Sequence, residues 1–201
     1  DEDNATASYE AATAAVTVIL DGDSDEADFD VTLSAFDDTV ILEELKSANI
    51  VDTQGGVDTL DTSEHNGTAT VNLLAGTFSI ADGTDTFAGT VSGVENVVGT
   101  DNDDTITGDN GDNWITGGDG NDTLKGGIGD DYFVFEDESQ IGTGTADGQT
   151  GTDTAVFSAD DVNLAAVADG HLSVENLTLS NADGEDEVSL TLAVAGSANI
   201  S

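Results

Sequence analysis

Cysteine, proline and arginine are absent from this chain of 201 residues, and its only basic side chains besides two histidines are Lys46 and Lys125. Without cysteine there is no disulfide staple and no thiol nucleophile. With two cationic side chains no basic patch can form, which excludes nucleic acid and an anionic membrane surface as partners. Aromatic residues make up 5% of the chain, so the apolar lining of a catalytic pocket is scarce. No apolar run approaches the roughly 18 residues of a membrane-spanning helix; the richest, Ala14 to Leu20, is far too short. His65 and His171 stand far apart in polar surroundings and read as solvated loop residues. No H-E-x-x-H zinc motif, Ser/His/Asp arrangement or phosphate-binding loop with its lysine is present.

Acid and glycine are abundant. The chain carries 43 Asp and Glu for a formal net charge of -41, and 24 glycines. Self-repulsion at this charge opposes a compact state unless cations neutralise it. Hydrophobic residues are 37% of the total, so the core is modest and bound ions must supply part of the stability. One ligand site held at about 100 times its dissociation constant contributes about 2.7 kcal/mol, against roughly 5–15 kcal/mol for a whole domain. Adaptation to high salt would spread acidity over ordinary surfaces. Here Asp outnumbers Glu 31 to 12 and clusters beside glycine in turns, a bias that ligand chemistry explains and salt tolerance alone does not.

Four nonapeptides run head to tail from Gly99 to Val134: GTDNDDTIT, GDNGDNWIT, GGDGNDTLK and GGIGDDYFV. Each begins with glycine. The sixth positions are Asp104, Asn113, Asp122 and Asp131, and the eighth are Ile106, Ile115, Leu124 and Phe133. Glycine at positions one, two and four permits positive φ in a tight turn. The three residues around position eight form a short strand with one side chain pointing inward. The sixth-position carboxylate, with turn carbonyls, supplies hard oxygen ligands suited to Ca²⁺. A single repeat buries almost nothing, so neighbouring repeats must stack.

This pattern resembles the calcium-binding nonapeptide of RTX proteins, and residues from about Asp52 to Asp160 are similar to the C-terminal calcium-binding region of proteins exported by type I secretion. The run VDTLDTSEHNGTATVNLLAGTFS followed by GVENVVGTDNDDTITG resembles the approach to the β-roll of serralysin-type proteases. Similar segments occur in adhesins, surface-layer proteins and epimerase modules. The resemblance implies an all-β fold, a short parallel β-roll with about 18 residues per coil, flanked by β-sheet units. It places the turn of Asp104 against that of Asp122 and the turn of Asn113 against that of Asp131. About two complete sites follow, with part-sites at the ends. Asn113 makes one ligand neutral, and Thr100, Asp101 and Asn102 stand where a regular first turn has glycine.

Degenerate copies of the G-x-D-x-U core recur at Gly56–Leu60, Gly83–Phe87 and Gly151–Ala155, and a D-x-x-x-x-S element followed by V-x-L recurs from Asp3, Asp58 and Asp153. The candidate ligands for several Ca²⁺ ions are therefore Asp101, Asp103, Asp104, Asp109, Asp112, Asn113, Asp119, Asn121, Asp122, Asp130 and Asp131, with Asp58, Asp85 and Asp153 in the stray turns. Expected units are an N-terminal β unit at 1–57, a second at 58–98, the roll at 99–135 and a C-terminal β unit at 136–201. Ser8 to Ala15 is read as strand, Thr39 to Asn49 as a turn or two of helix, and Glu136 to Gln149 as loop. In the roll, Trp114 and Tyr132 point outward on neighbouring strands beside Thr116 and Val134, a greasy face expected to be covered by the flanking units. Thr105, Thr107, Thr123 and Lys125 form a polar face opposite.

The expected function is a non-enzymatic calcium-binding module of a secreted bacterial surface protein, an adhesin, surface-layer or fibre subunit, that folds outside the cell as Ca²⁺ fills its turns. The chain opens Asp1-Glu2-Asp3 and is read as a mature product or a fragment. The alternatives are an accessory module of a secreted protease, lyase or epimerase, and an adhesin module that holds a glycan. Expected partners are calcium, with other copies of the chain or a surface glycan as candidates, and neither nucleic acid nor membrane insertion.

Overall fold

In a computed structural model the described residues are 5–20, 29–43, 48–51, 55–83, 85–136, 140, 144–158, 172–179 and 188–191. They form two sheets built from short strands, numbered along the chain. One sheet runs in the order β1 (Ala5–Ser8), β3 (Phe29–Thr32), β5 (Ala48–Val51), β9 (Asp85–Ser92), β8 (Thr77–Asp82), β7 (Thr68–Asn72), β11 (Thr105–Thr107), β13 (Thr123–Ile128), β15 (Thr145–Thr150) and β17 (Leu172–Ser173). The other runs β19 (Val188–Thr191), β18 (Asn176–Leu179), β16 (Thr154–Phe157), β14 (Tyr132–Phe135), β12 (Trp114–Thr116), β10 (Asn96–Val98), β6 (Thr59–Asp61), β4 (Thr39–Leu42) and β2 (Thr17–Leu20). The chain alternates between the sheets, so each coil lays one strand on each face of a parallel β-solenoid.

Strands of three or four residues exist here because each contributes one or two inward side chains to a shared core. Ile106, Ile115, Leu124 and Phe133 are all fully buried, as the eighth-position pattern requires. Ile115 and Phe133 stand in a column that continues through Val97, Leu60 and Val40 on one side and through Ala155 and Leu177 on the other. Burying each large side chain in this column contributes about 1.5–3 kcal/mol. Pairs β4–β6 and β14–β16 carry one sheet across residues 58 and 136, and pairs β5–β9 and β13–β15 carry the other.

One sheet holds an insertion. Between β5 and β11 the chain adds an antiparallel meander, β7–β8–β9, whereas β6 pairs directly with β10 opposite. The hairpin from β8 to β9 turns at Gly83, φ 61°, a conformation favoured in two-residue hairpin loops. At the other end β19 pairs antiparallel with β18, covering a parallel edge that would otherwise be open.

Three expectations are corrected. Thr39 to Asn49 is not helical over its described residues: Thr39–Leu42 is strand β4, with Val40 and Leu42 buried and Thr39 and Ile41 partly exposed, and Ala48 opens β5. The period-two burial of T-V-I-L prevails over a weak helical propensity. From Ser8 to Ala15 the strand stops at Ser8, and a turn closed by Ala12 N–H on the Tyr9 carbonyl follows. Glu136 to Gln149 contains most of β15, which pairs with β13. Residues Asp3 and Val162 to Leu164 of the longer repeat lie outside the described residues.

Candidate metal centre

Coils are joined at their corners by two reciprocal hydrogen bonds. The sixth-position carboxylate reaches back to the preceding coil: Asp122 Oδ1 accepts from the Asp104 N–H at 2.8 Å and Asp131 Oδ1 from the Asn113 N–H at 2.9 Å. The fifth-position carboxylate reaches forward: Asp103 Oδ1 accepts from the Asn121 N–H and Asp112 Oδ1 from the Asp130 N–H, both at 2.8 Å. The expected stacking of Asp104 on Asp122 and of Asn113 on Asp131 is thus the observed register.

The same clasp recurs outside the tandem repeats. Asp58 Oδ1 accepts from the Asp38 N–H and Asp37 Oδ1 from the Val57 N–H. Asp153 Oδ1 accepts from the Asp131 N–H, and Asp130 Oδ1 from the Thr152 N–H. Glutamates continue the series, with Glu95 taking the Asp58 N–H and Glu175 the Asp153 N–H. Sequence reasoning missed Asp37, Asp38, Glu95 and Glu175. The signals were there: Asp37-Asp38-Thr39-Val40 copies Asp103-Asp104-Thr105-Ile106, and Val94-Glu95-Asn96 copies Val174-Glu175-Asn176.

The turns are of two kinds. In the first, the second residue closes the turn on itself. Thr100 donates its N–H to Asp104 Oδ2 at 2.5 Å and its hydroxyl to Oδ1 at 3.0 Å. Ser34 does the same for Asp38, and the Asp109 N–H donates to Asn113 Oδ1 at 2.8 Å. In the second kind, the second residue has positive φ: Gly118 at 93°, Gly127 at 121° and Gln149 at 70°. Asp122 Oδ2 and Asp131 Oδ2 are buried there without a hydrogen-bond partner. A buried carboxylate oxygen with no donor costs free energy unless it is protonated or meets a cation.

Electrostatics follow from that burial. Desolvation pushes the Asp122 carboxyl up to about 7 and those of Asp131 and Asp153 up to about 6; neighbouring carboxylates add to the shift and one backbone N–H in each case offsets part of it. Asp104 is also raised, mainly by burial, against the N–H groups of Ala69 and Thr100.

Glycine at position one is required by contact. A methyl group on Gly117 would lie 2.2 Å from Asp122 Oδ2, and one on Gly126 2.0 Å from Asp131 Oδ2. On Gly99 it would meet both Asp104 Oδ2 at 2.5 Å and the Gly117 carbonyl oxygen of the next coil at 2.3 Å. The sixth-position side chain and the next turn's carbonyl therefore face one small space. Among the described residues no three carboxylate or imidazole side chains converge, so a hard cation here must complete its shell with backbone carbonyls. Calcium, with its oxygen preference and tolerant geometry, fits that donor set.

The predicted residues divide accordingly. Asp104, Asn113, Asp122, Asp131, Asp58 and Asp153 are buried at corners, while Asp101, Asp103, Asp112, Asp119, Asn121 and Asp130 sit exposed on the same turns and Asp109 is half-buried. Asp85 stands apart: it is exposed, opens β9 opposite Asp82 in the antiparallel hairpin, and faces no stacked turn. Its G-T-D-T-F sequence is that of a roll turn placed in a hairpin. His65 is not solvated; it is buried, its ring 5.3 Å from that of Phe87, and its Nδ1 accepts from the Gly67 N–H. His171 lies outside the described residues. Trp114 and Tyr132 do point outward, but the described flanking strands leave them 47% and 39% exposed. Their rings stack on each other at 5.2 Å and 11°.

Compared with known families, residues 98–133 match the model of the RTX calcium-binding nonapeptide repeat, in four copies. These are RTX repeats. No curated protein sequence matches the chain. The clasped turns at Asp37–Asp38 and Thr152–Asp153 lie outside the RTX block yet share its corner geometry, so the RTX segment is the regular middle of a longer solenoid.

Proposed function

We propose that this chain is a calcium-responsive structural module of a secreted bacterial surface protein, in which Ca²⁺ taken up at the RTX turns completes the solenoid outside the cell. In this reading it performs no reaction; its work is to hold a rigid β-solenoid in place. The observation that carries the reading is the pair of buried, partnerless oxygens, Asp122 Oδ2 and Asp131 Oδ2, at turns whose glycines keep the space beside them open. Bound calcium would supply the positive charge that these carboxylates lack in a chain of net charge -41. Extracellular modules bind calcium at about 0.1–1 mM, so such turns would stay protonated or unformed in a cytosol and fill after export.

The test is calcium removal. EGTA is expected to reduce β circular dichroism and shift the fluorescence of Trp114, which sits beside the Asn113 turn; re-addition of calcium should restore both. Spectra identical with and without calcium would overturn the reading.

A further inference from the structure

We propose a cation site in the corner between the turn of residues 126–131 and that of residues 148–153, half of it beyond the last RTX repeat. It rests on the calcium reading above, and it assigns calcium to a turn that the repeat match at 98–133 does not include.

Three observations converge on this corner. The first is register. Although 22 residues rather than 18 separate Asp131 from Asp153, Gly127 pairs with Gln149, Ile128 with Thr150 and Tyr132 with Thr154. The second turn therefore sits squarely on the first, tied by Asp131 N–H to Asp153 Oδ1 and by Thr152 N–H to Asp130 Oδ1. The second is the orphan oxygen. In the coil of Gly99, Asp104 Oδ2 and the carbonyl of the following turn approach the same point, and Asn113 Oδ1 and the Gly126 carbonyl do so at Gly108. At those two turns the sixth-position oxygen faces the next corner along, and we carry that arrangement by the repeat to Asp131, whose Oδ2 lies beside Gly126. For Asp131, fully buried, that corner is the one with residues 148–153, and its Oδ2 has no donor there.

The third is backbone strain. Gln149 is the one non-glycine residue with positive φ among the described residues. It holds the left-handed conformation of Gly118 and Gly127 at the same turn position, a strained backbone for an L-residue. Its N–H donates to Asp147 Oδ1 at 3.2 Å and not to Asp153, whereas those of Thr100 and Asp109 close their turns on the sixth-position side chain. The open conformation is kept instead, as at the two regular RTX turns.

Asp131 Oδ2 and the Asp153 carboxylate, with backbone carbonyls of both turns, are the ligand set for Ca²⁺. By contrast, Thr100 and Ser34 supply their turns internally with an N–H and a hydroxyl, so the ion count need not follow the repeat count.

The experiment uses the full chain with calcium alone as ligand. Native mass spectrometry at fixed free calcium, paired with amide exchange over residues 148–153, is run on the wild type, Asp153→Asn and Gln149→Gly. Asp153→Asn is expected to bind one ion fewer and to lose calcium-dependent protection of that turn. Gln149→Gly is expected to reach half-protection there at about 3-fold lower calcium, because left-handed glycine carries little strain. An unchanged ion count and protection in Asp153→Asn would overturn the site, as would unchanged or weaker affinity in Gln149→Gly should Asp153→Asn fail to fold. Wild type that binds no calcium at all would overturn both this site and the function proposed above.

Discussion

Asp122 makes the calcium-free protein respond to pH in the opposite sense to most domains. Its carboxyl is held at about 7 in the fold, against 3.8 for the free side chain. Between those values the folded chain keeps a proton that the unfolded chain has given up. The native state then binds more protons, so stability falls as pH rises. At about 1.36 kcal/mol per pK unit, ionising this group costs the metal-free fold on the order of 4 kcal/mol. For a chain of this size each kcal/mol moves the melting temperature by about 2–4 °C. About 2.7 kcal/mol of this is realised between pH 8 and pH 5, so in EGTA the melting temperature should climb by roughly 5–10 °C over that range. Asp131 and Asp153, raised to about 6, act in the same direction. General relief of charge repulsion also does, so Asp122→Asn is the control. That variant carries no proton to lose and should show a clearly shallower slope, with a higher melting temperature at pH 8. With calcium bound the slope should reverse below pH 7, because protons and calcium compete for the same oxygen. Differential scanning calorimetry across this pH range reads all three. A melting temperature in EGTA that is flat or falls on acidification, or an Asp122→Asn slope equal to wild type, would refute the reasoning.

Thr100→Val removes a hydroxyl that donates to the buried Asp104 carboxylate and keeps the side-chain volume. Urea unfolding in EGTA should show a loss of about 1.5–3 kcal/mol, the range for a hydrogen bond to a charged group. Gly117→Ala drives a methyl group to 2.2 Å from Asp122 Oδ2. It should lower stability in calcium by about 3 kcal/mol or more, read as a shift in the urea midpoint. Trp114→Ala removes one ring of an exposed stack and should cost only about 0.5–1.5 kcal/mol beyond the area it covers, with the calcium dependence of circular dichroism intact. Ile115→Ala, one residue along and fully buried, should cost about 2–5 kcal/mol.

The RTX block was legible because glycine, an Asp or Asn and an apolar residue recur at fixed offsets in all four repeats, even though two of its turns close on themselves and two stay open. Gly117 and Gly126 announce the corner, Asp122 and Asp131 the ligand, and Leu124 and Phe133 the core, at fixed offsets. The N-terminal coil of Ser34 closes its corner as Thr100 does, but without the surrounding repeat. Ser34 closes its turn with a hydroxyl and an N–H, so no glycine pattern marks it, and Thr39–Leu42 then passes for a helical segment. Asp85 shows the converse: G-x-D-x-U specifies a tight turn into a strand, and an antiparallel hairpin uses that turn as readily as a parallel coil does. His65 gave no signal because its burial depends on Phe87, brought over it by the β8–β9 meander.

In the function proposed above, calcium completes turns that the chain leaves electrically unsatisfied. Amide hydrogen exchange on the full chain, with and without calcium at pH 7.5, tests it most directly. Calcium is expected to slow exchange strongly at residues 117–122 and 126–131, and much less at the self-closed turn of residues 34–38. Equal exchange with and without calcium at 117–131 would contradict it.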